Sequence, residues 1–298
     1  MDGVRNHVAA VRAYPEPVSH PLERHAGLDG VAAAVGLAAA ACARIPPLGD
    51  GLIAARRESG VRCAAAGSAL DGVTWPLEAV RGVASGAGPV PDGPEGGVIR
   101  GALRVSAEVE RLMPVGGGRG AEVPLGQLLA RLHVAVGGPG PAGRGGPGAA
   151  SALGRLRTDQ PGDLRGLGTA PAAAEAAGRV AVLADLVAAP LPAEVPALVL
   201  AAVVHAELLA VRPFAWGNGA VARGVFRLML AARGVDPGVV VPEVRWAGEP
   251  NVYLSAAAGF ATGEPARVAA WLRYCSASVV DGAAEGALVA VALEGSGR

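Results

Sequence analysis

The sequence predicts an all-α protein, and three observations carry that prediction. Apolar residues recur at helical spacing along most of the chain, strand-type alternation is scarce, and the connections between periodic segments are rich in Gly and Pro. Leu28–Arg44 and Leu52–Ala66 read as Ala-rich helices, followed by a turn, SALDGVTWP, that ends at Pro76. A short helix is expected from Pro76 to about Ala84, and Ser85–Gly97 has the composition of a linker. Val98–Met113 and Leu125–Val136 are expected helices. After them GGPGPAGRGGPGAAS, Gly137–Ser151, holds too much Gly and Pro for regular structure. Pro171 suits a first helical position and opens a helix to Ala188. Leu191–Val211, Gly219–Arg233, Asn251–Phe260 and Pro265–Val280 complete the series, and no internal repeat is evident.

A chain of 298 residues can bury a substantial core. Its 26 basic residues are all arginine and are matched by 26 acids. That neutral balance argues against general nucleic-acid or anionic-membrane binding. The absence of lysine, with abundant Ala, Gly, Val, Pro and Arg, reads as GC-rich codon usage. Asp2, Arg5, His7 and Arg12 precede no apolar run, so no secretory signal is expected. The longest apolar stretches, Val31–Ala43 and Ala197–Val211, fall short of the roughly 18–20 residues that span a bilayer. Cys42, Cys63 and Cys275 lack metal-ligand or CxxC spacing and read as small core thiols of a cytoplasmic protein.

Chemistry concentrates in RPFAWGNGAVAR, Arg212–Arg223. Arg212 falls at a helix end that Pro213 helps to stop, and Gly217, Asn218 and Gly219 start the next helix. Free amides at that start, with the positive helix end, make an anion site, and Arg223 one turn on can add a phosphate contact. A plain structural helix–helix corner is the competing reading of the same residues.

The stretch HAELLAVRPFAWGNGAVAR resembles the signature of the Fic (Fido-fold) family, whose motif is H-P-F-x-(D/E)-G-N-G-R-x-x-R with a histidine seven residues upstream. Pro213, Phe214, Gly217, Asn218, Gly219, Arg223 and the upstream His205 match. LARLHVAVGG resembles an earlier helix of the family, and Gly154–Gly168 resembles the flap that holds a target segment beside the site. The resemblance covers about Ser68 to Asp281. It implies a Fic-type helical bundle with a short β-hairpin-like flap, divided into an N-terminal helical region at 1–97, a core at 98–286 and a tail at 287–298. It also implies AMP transfer from ATP to a protein hydroxyl.

Three departures bear on that activity. Arg212 stands at the position of the general base, and a guanidinium cannot take a proton near neutral pH. Trp216 replaces the acid that holds magnesium, so magnesium binding is in doubt and no metal ligand is assigned. Ala220 replaces a phosphate-binding arginine, while Phe214, Gly217, Asn218, Gly219 and Arg223 keep the nucleotide- and phosphate-binding positions. His205 lies seven residues before Arg212, about 10.5 Å along a helix, too far to substitute as base. It reads as a buried structural histidine, His133 has no better case, and Glu207 is out of phase with Arg212.

The turn at Ser68, Asp71 and Gly72 resembles the family's inhibitory pattern (S/T)-x-x-x-E-(G/N), with Gly67 at the Ser/Thr position and Asp71 in place of glutamate. The resemblance implies that Asp71 can pair with Arg223; a plain helix C-terminal turn is the alternative. Two functional readings follow. One is a catalytically impaired homologue that binds ATP, another nucleotide or a phosphorylated small molecule without magnesium, Arg212 and Arg223 supplying the positive charge. The other is a transferase that acts on protein hydroxyls without a histidine base, its target held by the Gly154–Gly168 flap. A scaffold with a vestigial site is the third.

Overall fold

The computed structural model describes residues 20–90, 92–114, 123–137 and 149–296, and these contain twelve α-helices and no strand. The N-terminal residues read above for a signal, most of the second Gly/Pro stretch, Pro91 and the last two positions lie outside the described residues. In chain order the helices are α1 Glu23–Ala26, α2 Val31–Cys42, α3 Leu52–Leu70, α4 Leu77–Ser85, α5 Gly93–Leu112 and α6 Leu125–Val136. They continue with α7 Ala173–Ala188, α8 Ala197–Val211, α9 Asn218–Ala232, α10 Glu243–Gly248, α11 Pro250–Phe260 and α12 Pro265–Ser296.

The sequence of α8 is apolar on every side, and such a helix has to be covered on every side. Twelve of its 15 residues are buried, walled by α7, α9, α11 and α12. Glu207, at its edge, pairs with Arg179 of α7 at 2.7 Å. The next helix, α9, is buried almost as completely and packs on α5 and α6 as well as α8. The α8–α9 corner is therefore set into the centre of the bundle and fixed by two core helices. Beneath it a ring of aromatic side chains closes on His205: Trp246 stacks at 4.9 Å and Trp271 at 5.6 Å, with Phe226 and Tyr253 tilted around them.

Several boundaries differ from the sequence expectation, each for a local reason. α3 runs four residues past Ala66, so Gly67 and Ser68 are helical and the turn begins at Asp71. α5 begins inside the expected linker, because Asp92 precedes a Pro94 and Glu95 that suit a first turn. α8 starts at Ala197 and not Leu191, since Pro192 and Pro196 exclude helix ahead of it. α12 continues past Val280 to Ser296, Ala283, Val289 and Ala290 still packing inward. Pro265–Leu293 is also long and apolar enough to cross a membrane, a window the sequence reading passed over. Its buried Trp271, Leu272, Cys275 and Val279 make it a core-packing helix. Cys42, Cys63 and Cys275 are buried free thiols.

The Gly154–Gly168 segment, expected to be hairpin-like, contains no strand. Pro161 and the glycines around it cannot sustain a ladder. The segment instead lies along the α8–α9 loop, with Arg157 N donating to Pro213 O at 2.9 Å and Gly162 N to Ala215 O at 2.8 Å.

Candidate functional site

α8 ends because Arg212 turns into the left-handed region, φ +46°, ahead of Pro213. α9 begins after Gly217, φ +71°, where a Cβ would stand 2.7 Å from Val136 Cγ1, so only glycine fits both the turn and the contact. Asn218 locks the loop between them. Its Oδ1 accepts Phe214 N at 2.8 Å, and its Nδ2 donates to Phe214 O at 2.9 Å. Phe214 is buried and stacks on His133 at 4.0 Å. His133 Nδ1 accepts Gly154 N at 3.0 Å, which ties α6 to the start of the flap. Burial pushes the His133 imidazole down to about 4, partly opposed by a backbone acceptor at Trp216.

Arg212 is buried, and its guanidinium faces the flap: Nη1 donates to Leu164 O at 3.1 Å and Gly168 O at 2.9 Å. Burial lowers its pKa and the nearby Asp163 opposes that, yet a guanidinium starts so high that it stays charged. The residue at the expected base position is thus a clamp on the flap. Arg157, not singled out from sequence, fastens the same corner from the flap side. Its guanidinium donates to the carbonyls of Val211 and Arg212, which cap α8, and to those of Asp159 and Pro171.

The start of α9 faces a carboxylate that sequence reasoning also missed. Asp163 Oδ2 accepts Asn218 N and Asp163 Oδ1 accepts Asn218 Nδ2, each at 2.7 Å. Burial raises the Asp163 pKa, its bonds to Asn218 lower it, and the Asp71 carboxylate raises it again. A helix start with free amides invites an acid, but one reaching across 55 residues has no local sequence signal.

One turn on, Arg223 is buried, and its Nη2 donates to Asp71 Oδ2 at 2.6 Å and Gly67 O at 3.1 Å. Asp71 thus reaches Arg223 despite its shorter side chain. Cys63, Gly67 and Asp71 repeat every four residues on the face of α3 that meets Arg223 and Arg227 of α9. A Cβ on Gly67 would lie 3.4 Å from Arg223 Nε, so the glycine lets the guanidinium lie against the helix. Burial opposes the Arg223 charge, and Asp71 together with Tyr253 and Glu243 outweighs it, leaving the pKa raised. Arg223 Nη1 is buried without an acceptor and lies against Gly219. Ser68 is buried with its hydroxyl unpartnered, its carbonyl accepting Val73 N at 2.8 Å; Gly72 makes the turn at φ +90°.

The Trp216 indole reaches the end of α6, Nε1 donating to Gly137 O at 3.0 Å. An indole N–H offers a metal nothing, and the nearest acids, Asp71 and Asp163, are engaged by Arg223 and Asn218. The donor set therefore does not fit a magnesium anchored as in the family motif. What the corner presents instead is a helix start whose first amide is bonded to Asp163, with the unpaired Nη1 of Arg223 against Gly219. Ala220, half-buried, adds no polar group. His205 is fully buried with its Nδ1 bonded to Ala222 O and its Nε2 to Tyr253 Oη, both at 3.0 Å, and burial pushes it down to about 3.

No family model and no curated protein matches the sequence. Solved structures do. A Fic family protein from Desulfovibrio desulfuricans G20 superposes with a TM-score of 0.69 at 20% identity, covering 86% of this chain and 74% of its own. Residues 134–508 of Fic-1 from C. elegans give a TM-score of 0.61 at 17% identity, over 90% of this chain and 73% of that one. At such identities the likeness speaks to architecture alone: this chain has the Fic fold.

Proposed function

We propose that this Fic-fold protein is a catalytically impaired relative of the AMP-transferring enzymes that binds a nucleotide or another phosphate-bearing ligand at the start of α9. The observation that carries this reading is a glycine-bounded helix start with an unpaired buried donor of Arg223 beside it, next to a base position whose arginine is bonded to the flap. Asn218 holds the loop through Phe214, its backbone amide donates to the displaceable carboxylate of Asp163, and Arg223 keeps a buried donor with no acceptor. Arg212, by contrast, spends its Nη1 on flap carbonyls and cannot deprotonate a hydroxyl. When bound, ATP would bring the transferable adenylyl group, with pyrophosphate as its leaving group. The chain's own residues would bind and orient it without a proton acceptor beside it.

The test is a thermal-shift screen over nucleotides and phosphorylated metabolites, with and without magnesium. A ligand at 100 times its Kd adds about 2.7 kcal/mol of apparent stability. Stabilisation that survives EDTA and is lost in Arg223→Ala is the expected result. A strict magnesium requirement overturns the metal-free reading. Labelling of protein from ATP by the wild type, abolished in Arg212→Ala, favours the transferase reading, for which the docked flap is the supporting observation.

A further inference from the structure

Two carboxylates from remote segments lean on the α9 start. Asp71 comes from the C-terminal end of α3 and pairs with Arg223. Asp163 comes from the flap, and it engages the backbone and side-chain amides of Asn218 together. Those are donors an incoming oxyanion would use.

The flap is fastened on both sides of this carboxylate. Gly162 N bonds Ala215 O on one side, and Leu164 O accepts Arg212 Nη1 on the other. Leu164 itself sits at φ +52°, a left-handed conformation that a leucine keeps only where its surroundings hold it. Moving Asp163 off Asn218 drags both fastenings and frees Leu164 to relax. Repulsion from the Asp71 carboxylate, added to burial, already works against the ionised plug.

We infer that Asp163 is an internal stand-in for the ligand's phosphate, plugging the α9 start and latching the flap, so that an oxyanion enters only by displacing it. Ligand binding and flap release are then one event. The inference rests on the anion-site reading above, which names the same corner but gives the flap no part in binding.

The test uses the full chain and inorganic pyrophosphate without metal. Calorimetry gives affinity, and brief trypsin treatment with mass spectrometry reports cleavage after Arg165 in the flap. Asp163→Ala is expected to bind pyrophosphate about tenfold tighter than wild type, the scale of a charge-assisted hydrogen bond. It should also be cut at Arg165 without ligand, whereas wild type should be cut there only when pyrophosphate is present. Asp163→Asn keeps an acceptor and drops the charge, so it should fall between; it also guards against a flap that merely misfolds in the alanine variant. Asp159→Asn, whose carboxylate accepts Thr158 Oγ1 at 3.1 Å and stands apart from the α9 start, should behave as wild type. Equal affinity in wild type and Asp163→Ala overturns the plug. A flap that stays protected in pyrophosphate-bound wild type overturns the latch. If neither wild type nor any variant binds pyrophosphate, the anion-site reading fails and takes the plug with it, while the ligand-free cleavage of Asp163→Ala still decides whether Asp163 holds the flap.

Discussion

Arg223 and Asp71 meet at 2.6 Å across 152 residues of sequence, the arginine fully buried and the aspartate side chain 26% exposed. Asp71→Ala strips the buried charge of its partner, a loss of about 1–3 kcal/mol once the exposure of Asp71 is allowed for. The same change frees one N–H of Nη2 for a ligand, the other staying on Gly67 O. Melting curves with and without pyrophosphate should therefore show a less stable free protein with a larger ligand-induced shift. A smaller shift than wild type would mean that Asp71 helps to bind the ligand.

Arg212→His restores the family's base residue in name but removes two bonds to the flap. No AMP transfer is expected from it, because a base without a held nucleotide has no aligned electrophile. Faster proteolysis of the flap is expected instead. Combining Arg212→His with Trp216→Asp, Ala220→Arg, Asp71→Gly and Asp163→Ala restores base, metal ligand and phosphate contact while clearing both internal acids. Radiolabelled ATP should show self-labelling with this combination and none with the single change; labelling by Arg212→His alone would contradict the clamp.

Gly217→Ala meets two penalties at once, a left-handed backbone and Val136 Cγ1 at 2.7 Å. A loss of about 2–4 kcal/mol is expected by denaturant titration. Gly86→Ala, at φ +75° with no atom within 4 Å, should lose only about 1 kcal/mol. Equal losses would mean that the α6–α9 contact is slack.

Acid should destabilise the fold through two buried histidines. Burial holds His133 at about 4 and His205 at about 3, so both are neutral in the folded chain where the unfolded chain protonates them. Their folded pKa values lie below the unfolded one, and stability falls as pH drops from about 6.5, by roughly 2 kcal/mol per histidine at pH 5. Asp163, Asp236 and Glu243 carry raised pKa values and act with opposite sign, which makes the net fall smaller than the sum. Thermal melts from pH 7 to 5 should show a decline that His133→Gln makes shallower; an unchanged slope would mean that His133 is charged in the fold.

Helix order and the corner were legible because they depend on local chemistry: apolar periodicity for α8 and α9, Pro213 as a stop, and glycines at a forced turn. Asp71 could be connected with Arg223 only because its turn resembled a known pattern. The partners of Arg212 could not be read. A guanidinium beside an anion site looks like a ligand contact, and only the fold brings the carbonyls of Leu164 and Gly168 within its reach. The same holds for Asp163 and Arg157, whose roles depend on where a Gly/Pro-interrupted segment comes to rest. α10 was missed because six residues are too few for periodicity to register.

The tryptophans are distributed in a way that makes the protein its own reporter. Trp246 and Trp271 are sealed among the rings around His205, remote from solvent, and should emit at the blue edge whatever happens at the corner. Trp216 is half-buried beside the α9 start, its indole held by a single bond to Gly137 O. In a Trp75→Phe background, which removes the other half-buried tryptophan, any event that shifts the α8–α9 loop alters the polarity and quenching around Trp216 while the buried pair serves as an internal reference. The residue that stands where the resemblance places a metal-holding acid is thus a light-emitting probe of the corner.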